Sequence, residues 1–304
     1  MTEHDMSTFW HWWVVVLTVA NIAAIFWLIR WTSKRRPGEA AQGDVTGHTW
    51  DEDLSEYNNP LPRWWLWMFY LTIVFSIIYL ALFPGLGRFA GFLGWTSEGR
   101  YHQEVERAEE RFGPIFAAYA ERDVPVLAGD DEALRSGQRL FLNYCATCHG
   151  SDARGAPGFP NLTDGQWQWG SSPDAIRQTI IDGRQGVMPA MGDALGDEGV
   201  EQLTHYVLSL AGRDDANPEL AEPGRPQFAA MCAACHGPDG TGMTAMGAPD
   251  LTNNLWVYGG SAGAIARTIR EGRHGVMPGF GDFLGEDRAH VLAAYVYSLS
   301  EEGR

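Results

Sequence analysis

The sequence predicts an all-α protein in which two N-terminal transmembrane helices are followed by two tandem domains of one kind. Two observations carry this prediction: uncharged apolar stretches occur twice near the N-terminus, and residues 130–212 are repeated in register at residues 218–300. A chain of 304 residues is long enough for several folding units, so a single core is not expected. The predicted segments are a first transmembrane helix at 1–33, a cytoplasmic connecting segment at 34–62, a second transmembrane helix at 63–84, a linker at 85–129, and two domains at 130–212 and 213–304.

The two apolar stretches have the length that a bilayer requires. Residues 9–29 are 21 residues without a charge, and residues 64–83 are another 20. At about 1.5 Å of rise per residue, each stretch forms a helix of roughly 30 Å, which is the thickness of the hydrocarbon core. A pair of buried helices in a soluble protein is the alternative, but the tryptophans that border the stretches favour two membrane spans.

Basic residues predict the orientation of these spans. Lys34, Arg35 and Arg36 follow the first stretch, and Arg63 precedes the second. Short cytoplasmic segments carry an excess of lysine and arginine. The connecting segment is therefore expected in the cytoplasm, and both chain ends are expected on the other side of the membrane.

The overall charge excludes one class of partner. The formal net charge is -16 at pH 7, and a surface this acidic is not expected to bind nucleic acid, because phosphates need a basic partner. The acidic surface suits a basic docking partner, but solubility explains it as well and is favoured. The charged stretch 104–111 predicts a short amphipathic helix in the linker, and a solvated connector is favoured over a docking surface.

The repeat is regular along its whole length. The two copies align at an offset of 87 up to their cysteine motifs and, after a two-residue insertion, at an offset of 89. Each copy predicts a helix that leads into the motif, a loop rich in glycine and proline, an amphipathic helix, a Met-Pro turn and a last helix. Equivalent positions include Gly137 and Gly224, Phe141 and Phe228, Trp167 and Trp256, Ile176 and Ile265, and Tyr206 and Tyr295.

All four cysteines lie in two copies of one motif, CxxCH, at residues 145–149 and 232–236. The motif places two thiols one helical turn apart, where they can add to the two vinyl groups of a haem, and a histidine beside the second thiol, where it can bind the iron. A zinc site and a redox dithiol are the alternatives. Zinc needs four ligands in one place, and a thioredoxin-like dithiol needs a βαβ pattern that the sequence lacks. Two haem c groups are therefore predicted.

The second ligand of each iron is less constrained. Low-spin haems of this class usually take a methionine, whose soft thioether stabilises the reduced iron. Only Met188 and Met277 are equivalent under the repeat, so Met191, Met243 and Met246 are predicted to be packing residues. Spacing alone does not decide whether each methionine binds the haem of its own copy or that of the other, and both arrangements stay open.

Other residues near the motifs have two interpretations. Arg184 and Arg273 lie four residues before the methionines and could bind haem propionates or be solvated on the surface, and the two interpretations are weighed equally. Trp167 and Trp256 could line the haem pockets, although core packing explains them as well. Three further histidines are predicted not to bind iron, because none has a partner histidine at the same depth of another span: His11, His205 and His290.

With these features in place, the sequence resembles the diheme cytochrome c subunit, or subunit III, of cbb3-type cytochrome c oxidases. The resemblance covers nearly the whole chain and rests on residues 57–65 before the second span, residues 79–87 after it, and the paired CHG and GVMP segments. It implies that the tandem domains are cytochrome c-like and that the methionines cross between them. The haem-binding residues that it implies are Cys145, Cys148, His149, Met188, Cys232, Cys235, His236 and Met277, with His149, Met188, His236 and Met277 on the irons.

The resemblance also implies a function. Such a subunit passes electrons from a donor c-type cytochrome or a quinol-oxidising complex toward a haem-copper catalytic subunit, which reduces oxygen and pumps protons. The implied partners are that subunit and a monohaem cytochrome c subunit, in a bacterial inner membrane with the haem domains in the periplasm. No part of the sequence resembles an oxygen-reducing centre, so catalysis is expected in a partner. A free-standing diheme carrier and a diheme peroxidase are the alternatives.

Overall fold

The computed structural model describes residues 6–302, so residues 1–5 of the predicted first segment and residues 303–304 of the last one lie outside the described residues. The helices are α1 Thr8–Thr32, α2 Arg63–Leu82, α3 Ser97–Ala120, α4 Val124–Leu127, α5 Asp131–Tyr144, α6 Ala146–His149, α7 Pro173–Asp182, α8 Gly192–Leu210, α9 Pro218–Met231, α10 Ala233–His236, α11 Ala262–Glu271, α12 Gly281–Leu284 and α13 Glu286–Glu302. The strands are β1 Val45–Trp50, β2 Leu54–Tyr57, β3 Arg184–Met188 and β4 Arg273–Met277. The predicted all-α class is confirmed in its dominant elements.

The chain divides into two compact units between residues 109 and 110, inside α3. In the first unit, α1 and α2 are both long and apolar enough to cross a membrane. The residues after α2 are tied to the start of α1, because the Arg88 main-chain N–H donates to His11 Nδ1 at 3.0 Å and the Arg88 guanidinium donates to the Met6 carbonyl at 2.7 Å. The start of α1 and the end of α2 therefore lie on the same side of this helical hairpin.

A β-hairpin occupies part of the segment between the two long helices. Strands β1 and β2 pair antiparallel, and Asp51 and Glu52 occupy the turn with φ angles of 49° and 72°. The Trp50 indole N–H donates to Glu56 across the pair at 3.0 Å. Valine, threonine and tryptophan favour strands, and the hairpin is an element that the predicted connecting segment did not include.

In the second unit, the last helix of each repeat packs against the first helix of the other repeat. Helix α13 packs on α5 and α7, whereas α8 packs on α9 and α11. We call α4, α5, α6, α7, α12 and α13 the first module, and α8, α9, α10 and α11 the second module. Phe141 and Leu292 are fully buried in the core of the first module, and Leu203 and Phe228 are buried in the core of the second. Each module thus contains helices from both copies.

The exchanged helices cross at glycines. A Cβ on Gly137 of α5 would lie 2.6 Å from the Cβ of Tyr295 on α13. A Cβ on Gly224 of α9 would collide with the main-chain carbonyl of Gln202 on α8. Only glycine permits this close approach of two helix backbones.

A two-stranded antiparallel ribbon joins the modules. In its register Arg184 of β3 lies opposite Met277 of β4, and Met188 lies opposite Arg273. Successive side chains alternate between two faces, so both methionines and both arginines share one half-buried face, while Val187 on the other face is 68% exposed. The sequence predicts only a Met-Pro turn here, so both strands are additional to the prediction.

Candidate haem-binding sites

Each CxxCH motif is positioned by the helix before it. The main-chain N–H groups of Cys145 and Cys232 donate to Phe141 and Phe228, each at 2.8 Å, and the motif then continues as a one-turn helix. Residues three apart in a helix lie on the same face, so both thiols of a motif face the same side. All four cysteines are free of disulfides. The predicted spacing of the two thiols is therefore present in both modules.

The histidine of each motif is held by a main-chain carbonyl. His149 Nδ1 lies 3.0 Å from the Pro160 carbonyl oxygen, and His236 Nδ1 lies 3.1 Å from that of Pro249. A carbonyl only accepts, so Nδ1 carries the proton in both rings and Nε2 keeps its lone pair. Both side chains are 9% exposed. A buried imidazole with a free Nε2 and a fixed tautomer is suited to bind a metal.

The first thiol of each motif lies in an apolar environment. Burial, and then the neighbouring Cys148 thiol, raise the pKa of the Cys145 thiol to about 11. Burial, and then Cys235, also raise the pKa of Cys232. Redox-active dithiols need a lowered pKa, because the thiolate is the reactive form. The raised values therefore disfavour a redox dithiol and are compatible with a haem pocket.

The methionines that the repeat singles out lie on the ribbon. Met188 packs against the core of the second module together with Cys232 and Ala233, so the methionine of the first copy lies with the motif of the second. The carbonyl of Met277 contacts Gly183, which follows α7 in the first module. The Met188 side chain thus lies against the second module, and the main chain of Met277 lies against the first.

The chain continues in the opposite module after each methionine. The Met191 N–H donates to Ile269 of the second module at 3.0 Å, and the Phe280 N–H donates to Ile180 of the first at 2.9 Å. Met191 packs in a core as predicted. The prediction that Met243 and Met246 are packing residues is wrong, because they are 38% and 53% exposed on the loop around the insertion.

Two buried indole groups test whether the pockets fit a haem. The Nε1 atoms of Trp167 and Trp256 are buried without an acceptor among the described residues. Trp167 packs against the core of the first module and Trp256 against that of the second. A buried N–H without a partner is costly, and its recurrence at equivalent positions indicates a bound group that supplies an acceptor. Haem carboxylates supply such acceptors, so the residues present fit the predicted cofactor.

The two arginines near the methionines are anchored and half-buried. The Nε atoms of Arg184 and Arg273 donate to Thr179 and Thr268 at 2.9 and 3.0 Å. The Arg184 guanidinium lies 5.2 Å from the Trp169 ring centroid, and that of Arg273 lies 4.8 Å from the Tyr258 ring centroid. These contacts favour a role inside the module over a solvated surface position. Sequence spacing gave no sign of the stacking partners.

The histidines that were predicted not to bind iron all have other hydrogen-bond partners. His11 Nδ1 accepts from Arg88 as described above. His205 Nδ1 accepts the Asn217 main-chain N–H at 3.1 Å, and His290 Nε2 lies 2.8 Å from the Arg122 carbonyl. One nitrogen of each ring thus serves a loop or a helix end.

Comparison with known proteins gives two family matches. The model of the N-terminal domain of cytochrome oxidase-cbb3, FixP, matches residues 42–90. The model of cytochrome c oxidase, cbb3-type, subunit III, matches residues 132–207 and 219–296. The second match confirms the predicted tandem arrangement of two cytochrome c-like domains.

Full-length relatives agree with these matches. The chain is 45% identical over 299 residues to a cbb3-type cytochrome c oxidase subunit CcoP of Rubrivivax gelatinosus, covering 97% of this chain and 98% of the relative. It is 37% identical over 286 residues to CcoP of Cereibacter sphaeroides, and the alignment covers 88% of this chain and 97% of that relative. It is 36% identical over 284 residues to FixP of Azorhizobium caulinodans, again covering 88% and 97%.

Proposed function

Because the chain belongs to the family of subunit III of cbb3-type cytochrome c oxidases, we propose that it passes electrons through two haems toward the oxygen-reducing centre of such an oxidase. The chain carries two haem c groups, one for each CxxCH motif. Each bound haem supplies an iron that takes up and releases one electron. The protein binds and orients the haems, and catalysis takes place in another subunit.

The proposed ligands follow from the exchange of helices. The thiols of Cys145, Cys148, Cys232 and Cys235 attach the two haems, and His149 and His236 each bind one iron. We assign Met277 to the iron of His149 and Met188 to the iron of His236. Met188 and Cys232 pack against the same core, which supports this crossed assignment, as does the contact of the Met277 main chain with Gly183.

The single observation that carries electron transfer is the register of the ribbon. Met277 lies opposite Arg184, four residues along β3 from Met188, so the two methionines are about 14 Å apart along the ribbon at roughly 3.4 Å per residue. Both lie on the same face. The register of the ribbon supports electron exchange inside one chain, because it keeps the two proposed iron ligands at this separation.

The chain is anchored in a membrane by its apolar N-terminal helices. We propose that both cross a bacterial inner membrane, with the segment between them in the cytoplasm and the haem modules in the periplasm. The three basic residues after α1 and the hairpin arrangement of α1 and α2 support this orientation.

The relatives are oxidase subunits, so the partners include other subunits of such an oxidase. We propose the haem-copper catalytic subunit and a monohaem cytochrome c subunit as those partners, with a c-type cytochrome as donor. The net charge of -16 suits a basic donor. Membership of an oxidase-subunit family disfavours the first alternative, a free-standing diheme carrier. The second alternative, a diheme peroxidase, needs an iron with an open position, and it is disfavoured because a methionine is available for each iron.

Gentle solubilisation of membranes that contain the tagged chain tests the function. The haem-stained chain is expected to co-purify with an assembly that consumes oxygen when supplied with a reduced donor cytochrome. Met188→Leu and Met277→Leu are each expected to slow oxygen consumption without dissociating the assembly, because the thioether holds the potential of the iron high. Recovery of a lone species of 33.6 kDa would contradict the proposal.

A second experiment tests the crossed ligands. An iron that has lost its methionine is open to peroxide, and mild peroxide treatment should bleach that haem first. In the Met277→Leu variant, mass spectrometry is expected to show loss of intact haem from the peptide that contains Cys145 and Cys148. In the Met188→Leu variant, the loss is expected from the peptide that contains Cys232 and Cys235. Met191→Leu serves as the matched control, and both of its haems should resist the peroxide treatment. Loss at the motif of the same copy would reject the crossing while leaving the electron-transfer role intact.

A further inference from the structure

The half-buried face of the ribbon carries two positive charges as well as the two methionines. Arg184 lies directly opposite Met277, and Arg273 lies directly opposite Met188. We call Arg184 and Arg273 the ribbon arginines. Directly opposed residues of an antiparallel pair have Cβ atoms about 4.5–5.5 Å apart. Each ribbon arginine therefore starts beside the methionine that comes from the other copy.

Hydrogen bonds keep the side chain of Arg184 in the first module. Its Nε donates to the Thr179 hydroxyl at 2.9 Å, and its Nη2 donates to the Ala175 carbonyl at 3.4 Å. Both acceptors belong to α7. The main chain of Met277 also lies against this module, as described above. Arg184 is thus held in the module of the iron that takes His149 and Met277 in the proposed assignment.

Arg273 is held in the equivalent way in the second module. Its Nε donates to the Thr268 hydroxyl of α11 at 3.0 Å. Arg273 and Met188 both line one cavity of about 460 Å³. The arginine and the methionine opposite it therefore border the same space. The iron of this module takes His236 and Met188 in the proposed assignment.

The charges of the ribbon arginines are not neutralised by carboxylates in the described part of the chain. Their partners there are neutral: threonine hydroxyls, a carbonyl and aromatic rings. By contrast, Arg177 on α7 pairs with Glu286 at 2.8 Å. A half-buried charge without a counterion acts over a longer range than a solvated pair, because water and salt screen it less. Two such charges at equivalent positions, each beside a methionine, indicate a role at the irons.

We propose that each ribbon arginine raises the reduction potential of the haem in its own module. Arg184 acts on the haem whose iron takes Met277, and Arg273 acts on the haem whose iron takes Met188. An oxidised iron carries one more positive charge than a reduced iron, so a nearby positive charge destabilises the oxidised form. The proposal rests on the proposed function, because it requires the two haems and their methionine ligands.

Redox titration of the purified full chain with both haems attached tests the proposal. Arg184→Gln removes the charge but keeps an amide that can bond Thr179. At a fixed potential it is expected to lower the ratio of reduced to oxidised haem about tenfold for one haem, or about 59 mV for a one-electron couple. Arg184→Lys keeps the charge and should restore most of the potential. Arg177→Gln is the matched control on α7: Glu286 already neutralises this charge, so neither potential should change.

Double variants identify the haem on which each arginine acts. Met277→Leu and Met188→Leu are each expected to lower the potential of one haem, which marks that haem in the titration. Arg184→Gln should lower the marked haem of Met277→Leu further, but only the unmarked haem of Met188→Leu. Arg273→Gln should do the reverse. The near-infrared absorption band of methionine-bound ferric haem should persist in the arginine single variants, because only a charge is lost.

Four results would each overturn the proposal: unchanged potentials in both arginine variants, an equal shift in Arg177→Gln, a shift of the wrong haem, or loss of the methionine band together with the potential. The last result would show that the arginine only supports the methionine. A methionine variant that shifts neither potential would overturn the ligand assignment and this proposal with it. If the oxidase still co-purifies in these cases, the proposed function stands. If the potentials shift as expected but no oxidase co-purifies, only the proposed function fails.

Discussion

The two haem modules are built on the same crossing of helices but differ at their edges. In the first module the rings of Phe141 and Tyr295 have centroids 5.5 Å apart at 53°, and in the second those of Phe228 and Tyr206 are 5.3 Å apart at 55°. Each pair joins a residue of one copy to a residue of the other. The packing around the exchanged helices is thus nearly the same in both modules.

The contacts between the modules differ more than their cores. The ring of Trp169 packs directly on Gly247, whereas its equivalent, Tyr258, lies 3.8 Å from the position of a Cβ on Gly158. The helices that lead to the motifs also begin differently, with a charged cap on α5 and a neutral amide on α9. The repeat thus preserves the proposed haem-binding residues and the crossing of the helices, while the surfaces between the modules differ.

Leucine substitutions in the exchanged helices should give the largest effect. Leu292 of α13 and Leu203 of α8 are equivalent, fully buried residues in opposite modules. Each Leu→Ala variant is expected to lose about 2–5 kcal/mol of stability in its own module. Hydrogen exchange should show Leu292→Ala weakening α5 and α7, and Leu203→Ala weakening α9 and α11. Loss of protection confined to the same sequence copy would contradict the exchange of helices.

The contact between Trp169 and Gly247 predicts an intermediate effect. Gly247 and Gly158 both have positive φ angles, of 66° and 92°, so alanine is strained at either position. Only at Gly247 would the new Cβ also collide with a ring. Gly247→Ala is expected to cost about 1–3 kcal/mol more than Gly158→Ala in thermal unfolding, because of overpacking. An equal loss of stability in the two variants would contradict this prediction, because it would show that the Trp169 ring moves away from the new Cβ freely.

The charged cap of α5 predicts the smallest effect, which depends on pH. The Arg122 side chain bonds Asp130 at 2.7 Å and, with the N–H groups of Ala133 and Glu132, lowers the pKa of the Asp130 carboxyl below its ordinary 3.8. A lowered pKa stabilises the fold above the ordinary value, and this contribution disappears as the pH falls through the lowered pKa. Asp130→Asn imitates Asn217 of α9 and should remove a small part of the acid sensitivity. An unchanged melting profile between pH 2 and 5 would contradict this.

The sequence predicted the parts of the fold that depend on local pattern. The two long apolar helices, the repeat and the two CxxCH motifs all follow from composition and spacing. The exchange of helices could not be predicted from the residues, because Leu203 and Leu292 have the same spacing and the same chemistry. Such a pattern identifies the buried face of a helix, but it does not identify which of two equivalent helices covers that face. Only the family resemblance indicated that the methionines cross.

The ribbon was missed for a related reason. Its strands are five residues long with a glycine at the centre, and glycine is a poor strand former. Each strand is stabilised by pairing with the equivalent strand of the other copy, which lies 89 residues away in the sequence. A non-local pairing of this kind leaves little trace in local propensity. The prediction of a haem pocket was easier, because the thiols and the histidine are adjacent in the chain.

The position of α13 in the first module has a consequence for biosynthesis. A polypeptide leaves the ribosome with its N-terminal side first, so the motif at Cys145 emerges well before residues 286–302. All helices of the second module lie between residues 192 and 271, so that module can close while the first still lacks the helix that covers its motif. The haem site that comes first in the sequence is thus completed last. Its cysteines are therefore expected to wait longer for their module to close than those of the second site.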